Sequence, residues 1–264
     1  MLTEEAVINA ISKMLGTNII CSNFKSEQLQ GGTVGDVRLI TGNAETTCGA
    51  ILPYKIILKV QKKWERGNDP DSWRREYDLY KSDLGSLFND SFRWPVCYHA
   101  EMNDEETETQ LWLEYIDGVS GDDLTVCMFE YAALEIGRFQ GKQYAKKPDF
   151  SNEITIFYND GKIRLIDWDT AGWGYIGEDI KQLISDETDP CYMVEYYRKC
   201  VPAYYKGFSE YADISHITDN CIREMILVSV GYRLVEWYKS AKTPDEKTLH
   251  LDTLQKIYEI GDCI

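Results

Sequence analysis

Apolar residues recur at helical spacing near the start of the chain, at Ala6, Val7, Ala10, Ile11 and Met14, and predict a helix from Thr3 to Leu15. Thr3 offers a side-chain cap, Glu4 and Glu5 fall in the first turn where a carboxylate is favoured, and Gly16 ends the run. From Phe24 the pattern changes to that of strands. It predicts Phe24–Gln30, Val37–Thr41, Ile51–Val60, Val96–Met102 and Gln110–Ile116, with one helical stretch, Asp71 to Leu84, inserted after the third. Antiparallel strands around a single helix read as a small α+β unit. Asp117-Gly118 breaks the last strand, and helices dominate afterwards: Cys127–Lys146, stopped by Pro148, then Asp189–Tyr211, Asn220–Ser240 and Glu246–Ile260. Only Ile154–Tyr158 and Ile163–Ile166 interrupt them, two β-rich runs joined by Asn159-Asp160-Gly161, whose Asp-Gly step suits a tight hairpin turn. The expected fold is α+β, with a sheet-rich part over residues 1–115 and a mainly helical part over 116–264.

Composition narrows the function classes. A net charge of −16 argues against nucleic acid, whose binding requires Lys and Arg to neutralise phosphates, and it suits a cationic ligand as well as simple solubility. No apolar run is long enough to cross a bilayer, and the first residues lack the basic start and apolar core of a secretory signal, so a cytoplasmic location without membrane attachment is expected. The eight cysteines are scattered, with no close pair of the zinc or redox kind, and read as buried reduced thiols.

Several residues carry candidate chemistry. Gly31-Gly32-Thr33-Val34-Gly35 lies between two strands, where backbone N–H groups of Thr33 and Val34 can approach phosphate oxygens, although a plain hairpin uses the same glycines. Lys59 stands inside the apolar strand Ile56-Ile57-Leu58-Lys59-Val60, on the face of Ile57 and Gln61, where an ammonium needs a partner unless it faces solvent. Glu76, in the following helix, is placed to pair with it. Acidic residues flank the later hairpin: Asp149 before its first strand, Asp167 and Asp169 after its second.

The segment Arg164-Leu-Ile-Asp-Trp-Asp-Thr-Ala-Gly-Trp-Gly-Tyr175, followed by Gly-Glu-Asp-Ile, resembles the metal-binding segment of the aminoglycoside phosphotransferase and choline kinase group, a branch of the protein-kinase fold. The resemblance implies a two-lobed kinase-like fold: a small antiparallel-sheet N-lobe that binds nucleotide, and a mainly helical C-lobe that holds the catalytic loop and the acceptor. It implies ATP or GTP with Mg2+ as cofactors, and transfer of the terminal phosphate to a hydroxyl of an amine-bearing small molecule. Lys59 and Glu76 would position phosphates. Glu114 would offer a carbonyl and Ile116 an N–H to the base, Asp167 would hold the metal, Asp179 would brace its loop, and Asp149 would orient the acceptor hydroxyl. The catalytic loop departs from the group's pattern. Lys147 fills the usual histidine position and Ile154 or Thr155 the asparagine position, leaving Asn152 or Thr155 as substitute metal ligands. A nucleotide-binding module that has lost catalysis is therefore the alternative. Aromatic residues of the last helices, such as Tyr192, Tyr196, Tyr204 and Trp237, read mainly as core. A few of them, beside Glu195 or Glu236, would suit a cationic acceptor through ring faces and carboxylates. A monomer or weak homodimer is expected.

Overall fold

A computed structural model describes residues 3–29, 35–64, 69–119, 123–145, 155–159, 162–166, 175–185, 192–217 and 220–260. Thr3 accepts a hydrogen bond from the Ala6 N–H at 3.2 Å and opens α1 (Glu4–Leu15), which closes at Gly16 with φ of 64°, a left-handed conformation that costs glycine little. Chain contacts divide the molecule into two units. The first comprises mainly Met1–Ser86 and Arg93–Asp117, the second mainly Leu87–Phe92 and the chain from Gly118 onward.

The first unit is built on a five-stranded antiparallel sheet of β1 (Ile19–Gln28), β2 (Asp36–Thr46), β3 (Ile51–Lys62), β5 (Cys97–Met102) and β6 (Glu108–Glu114), in the order β1-β2-β3-β6-β5. Between β3 and β5 the chain forms α2 (Ser72–Lys81), a 3-10 turn over Asp83–Leu87 and the two-residue strand β4 (Phe92–Arg93). Alternation along β3 sends Tyr54, Ile56 and Leu58 to one face, where with Ile40, Ala44 and Trp112 they bury Ala6, Val7, Ala10 and Ile11 of α1. Strand β1 begins at Ile19, well ahead of the expected Phe24. As an edge strand it is exposed along most of its length, so selection for alternating hydrophobicity is weak and the polar Cys21-Ser22-Asn23 conceals it.

In the second unit, β7 (Thr155–Asn159) and β8 (Lys162–Ile166) pair from Thr155↔Ile166 to Asn159↔Lys162, and β4 flanks β8 to complete a three-stranded sheet. The unit's helices among the described residues are α3 (Val126–Tyr144), α4 (Glu178–Ser185), α5 (Met193–Ser209), α6 (Cys221–Ser240) and α7 (Pro244–Glu259). Helix α4, absent from the expected set, is two turns long. Its apolar face rests on Ile180, Leu183 and Ile184 alone, too few positions for a period to stand out. Helices α3 and α5 meet at glycines: Gly137 lies against the Tyr204 carbonyl, Gly207 against the Leu134 carbonyl and Gly141 against that of Phe208. Sheet order, the helix placed after β3 and the helical remainder make this an α+β fold of the protein-kinase-like class, with an antiparallel-sheet N-terminal unit and a mainly helical C-terminal one. Among the described residues no helix is long and apolar enough to cross a membrane.

The thiols depart from the expectation of burial. Among the described residues Cys21, Cys48 and Cys127 are exposed, Cys97 and Cys221 half-buried, and only Cys200 is buried; all six are unpaired. A scattered cysteine carries no sequence signal of its own depth; the edge strand β1 puts Cys21 at the surface, and the turn between β2 and β3 does so for Cys48. Burial pushes the Cys97 thiol up to about 11 from an ordinary 9.0. A group that folding keeps neutral stabilises the native state fully below its unfolded value and loses that contribution as pH rises through its folded one. Stability to urea is therefore expected to fall between pH 9.0 and about 11, and Cys97→Ala should flatten that fall. An unchanged slope in the variant would contradict the assignment.

Candidate active site

Lys59 projects from the face of the central strand β3 opposite α1. Directly across from it lie Val37 on β2 and Leu111 on β6, and the neighbouring row is Leu39, Ile57 and Leu113. An ammonium group on such an apolar floor is costly unless a counter-charge meets it. The counter-charge comes from α2, which carries Trp73 and Glu76 on its buried side. The Glu76 Oε2 stands 2.5 Å from the Lys59 Nζ, with the two side chains 10% and 19% exposed. One turn further along α2, the Tyr80 hydroxyl is held well above its usual range, first by burial and then by the Glu76 charge. Lys63 lies over the Trp73 ring, 5.9 Å from its centroid. The sheet and α2 thus position one partly accessible cation and fix it from the side with a carboxylate, while apolar residues extend along the strands beside it. Such an arrangement can receive an anion at the lysine and a flat apolar group on the neighbouring rows.

Strand β6 stops at Glu114, two residues short of its expected end at Ile116, and Asp117-Gly118 follows. The Glu114 N–H donates to the Val96 carbonyl at 2.8 Å. Its carboxylate accepts from both terminal nitrogens of Arg93, at 2.6 and 3.0 Å, and from the Val96 N–H at 3.0 Å. Arg93 also donates to the Trp94 carbonyl at 2.8 Å. Bidentate pairing of this kind fixes direction as well as distance. Arg93 is a residue that sequence reasoning missed. It sits in a two-residue strand without periodicity, and only its position beside the apolar Phe92 and Trp94 hinted that it was held in place. Ile116 is half-buried just beyond the ladder.

Thr33, Val34, Asp149 and Asp167 lie outside the described residues, as do Lys147, Asn152, Ile154 and Asp169. Thr155 opens β7 and its backbone pairs opposite Ile166, the neighbour of Asp167 in the chain. Among the described residues no group of three His, Cys, Asp or Glu side chains could hold a metal ion. Asp179, at the start of α4, is buried and accepts a hydrogen bond from the Gln140 side chain of α3; the Tyr204 hydroxyl of α5 donates to Gln140 Oε1 at 2.6 Å and accepts from the Gly177 N–H at 3.1 Å. Burial, followed by the Asp179 charge, holds the Tyr204 hydroxyl well above its usual range. Three helices thereby fix the backbone just ahead of α4. Of the aromatic stripes, Tyr197, Tyr204 and Phe208 are core, whereas Tyr192, Tyr232, Trp237 and Tyr238 are exposed, as are Glu195 and Glu236.

No family model and no curated protein matches the sequence. Solved structures similar to the chain include a spectinomycin phosphotransferase, APH(9)-Ia, in complex with ADP and spectinomycin, at a TM-score of 0.41 and 10% identity, covering 98% of this chain and 94% of that one. They also include a GDP complex of wild-type aminoglycoside 2'-phosphotransferase-IIIa, at a TM-score of 0.47 and 11% identity over 100% of both chains. At such scores and identities the likeness carries no functional conclusion. The residues of this chain must carry it.

Proposed function

We propose that this protein is a small-molecule kinase of the aminoglycoside phosphotransferase-like kind, moving the terminal phosphate of ATP or GTP to a hydroxyl of an amine-bearing acceptor. One observation supports this above all: the lysine of the third strand meets the glutamate of the next helix at 2.5 Å on an apolar sheet face. In protein kinases that pair holds the lysine against the nucleotide phosphates. Lys59 would contact phosphate oxygens, Glu76 would keep Lys59 from swinging away, and the row of Leu39, Ile57 and Leu113 would accept the base. Asp149 would orient the acceptor hydroxyl and take its proton. Asp167, with Thr155 or Asn152, would supply oxygen donors that suit Mg2+, which would neutralise charge on the phosphates. The acidic surface favours a cationic acceptor.

A second reading is kept open by the catalytic loop, where Lys147 and Ile154 or Thr155 stand in place of the group's histidine and asparagine. On that reading the chain binds nucleotide and regulates, without transfer. Calorimetric titration with ATP and GTP, combined with turnover across aminoglycosides, choline-like amines and amino alcohols, separates the two. Asp149→Asn is expected to lower kcat for the responsive acceptor by about 10²-fold while nucleotide affinity is retained. Turnover unchanged in that variant would refute the role given to Asp149. Nucleotide binding with no acceptor-dependent transfer would favour the regulatory module.

A further inference from the structure

Helix α6 is apolar on two sides. Ile222, Ile226, Val230 and Leu234 face the interior and are buried. On the opposite side Val228, Tyr232 and Val235, at i, i+4 and i+7, are 76%, 70% and 44% exposed. Helix α7 repeats the arrangement, with Thr253 and Ile257 buried and Leu251 and Tyr258, seven positions apart, exposed. The two outer stripes adjoin: a Cβ placed on Gly231 of α6 would meet Leu254 Cδ1 of α7 at 4.0 Å, so the seam between the helices lies along both stripes. Contiguous exposed apolar surface of this kind is uncommon on a protein that stays alone in solution.

Charge indicates what covers it. The segment 220–260 carries six basic and six acidic side chains and is neutral, in a chain whose net charge is −16. A second copy brings the same −16, and close approach through the acidic remainder is opposed. Through α6 and α7 it is not opposed, and a two-fold axis would set each apolar stripe and each mixed rim of charge against itself. A basic partner would be drawn to the rest of the surface instead, and an anionic lipid surface would be repelled by it.

We propose that the outer face of α6 and α7 is a homodimer interface centred on Val228, Tyr232, Val235, Leu251 and Tyr258. The inference is independent of the proposed chemistry. Sedimentation velocity of the full chain, from about 1 to 100 μM, tests it against the range expected of a modest interface. The expected result is a concentration-dependent monomer–dimer equilibrium that tightens as added salt screens the like charge. Val228→Glu with Tyr232→Glu should weaken it by at least about 10²-fold, as loss of central apolar contacts does. Both positions are exposed in the monomer, so the circular dichroism and Tm of the variant should match the parent; Leu251→Lys on α7 gives a second, separate disruption. A wild-type chain that stays monomeric to about 100 μM would overturn the proposal and leave the face to a different occupant. A dimer indifferent to both variants would overturn it as well.

Discussion

Lys59→Met is expected to lower kcat/KM for phosphate transfer by about 10²- to 10³-fold, the scale of removing one preorganised contact to developing charge. The same change harms the fold, because Glu76 is left with its carboxylate in the interior and its 2.5 Å partner gone. Breaking a largely buried pair from one side costs about 3 kcal/mol, so loss of activity alone would be ambiguous. The double variant Lys59→Met with Glu76→Leu resolves the ambiguity. Replacing both charges by apolar groups of similar size removes the stranded carboxylate, and stability should return to within about 1 kcal/mol of the parent. Activity should stay at the level of Lys59→Met. Should the double variant recover both stability and transfer, the pair would be structural and the lysine would not contact phosphate. Urea unfolding read beside steady-state kinetics distinguishes these outcomes.

Gly137→Ala is expected to destabilise the protein by about 3 kcal/mol, lowering Tm by roughly 10 °C. Alanine favours a helix over glycine by about 1 kcal/mol, so propensity alone predicts the opposite sign. Contact geometry decides the outcome. A Cβ on Gly137 would overlap the Tyr204 carbonyl oxygen and sit 3.0 Å from the Phe208 nitrogen. These are backbone atoms of α5 that cannot rotate aside, so α3 and α5 would have to separate and lose packing around Ile136, Tyr204 and Phe208. Gly207→Ala repeats the conflict from the other helix, against the Leu134 carbonyl and with the Arg138 nitrogen at 2.9 Å. The contrast is Gly231→Ala in α6, where the nearest atom is Leu254 Cδ1 at 4.0 Å and propensity should prevail, raising Tm slightly. If all three variants shifted Tm in the same direction, close approach of α3 to α5 would not be what these glycines serve.

The separation of an antiparallel-sheet part from a helical part was legible in the sequence because period-two and period-3.6 patterns occupy different stretches of the chain. Helix α1 was equally legible, since Thr3, the acidic first turn and Gly16 act within a few residues of one another. Stretches too short or too exposed for a period to show were not: β4 has two residues, α4 two turns, and the first half of β1 is mostly exposed at a sheet edge. Among the candidate site residues, Lys59 could be picked out because a charge inside an apolar strand is a local irregularity, and Glu76 because the next helix is where a partner for it could stand. Arg93 is no such irregularity, and neither is the link from Gln140 to Asp179 and Tyr204. Each becomes significant only through a partner far along the chain.

By itself the sequence determined which stretches prefer strand or helix, where caps and turns fall, and which residue types are present for chemistry, because these depend on neighbours within a turn or two. Only the tertiary structure decided that Lys59 faces α2 rather than water, that Glu114 is clamped by Arg93, and that α3 and α5 meet at glycines. Those outcomes depend on which faces are buried against which, and burial is a property of surfaces assembled from distant segments that no local pattern specifies.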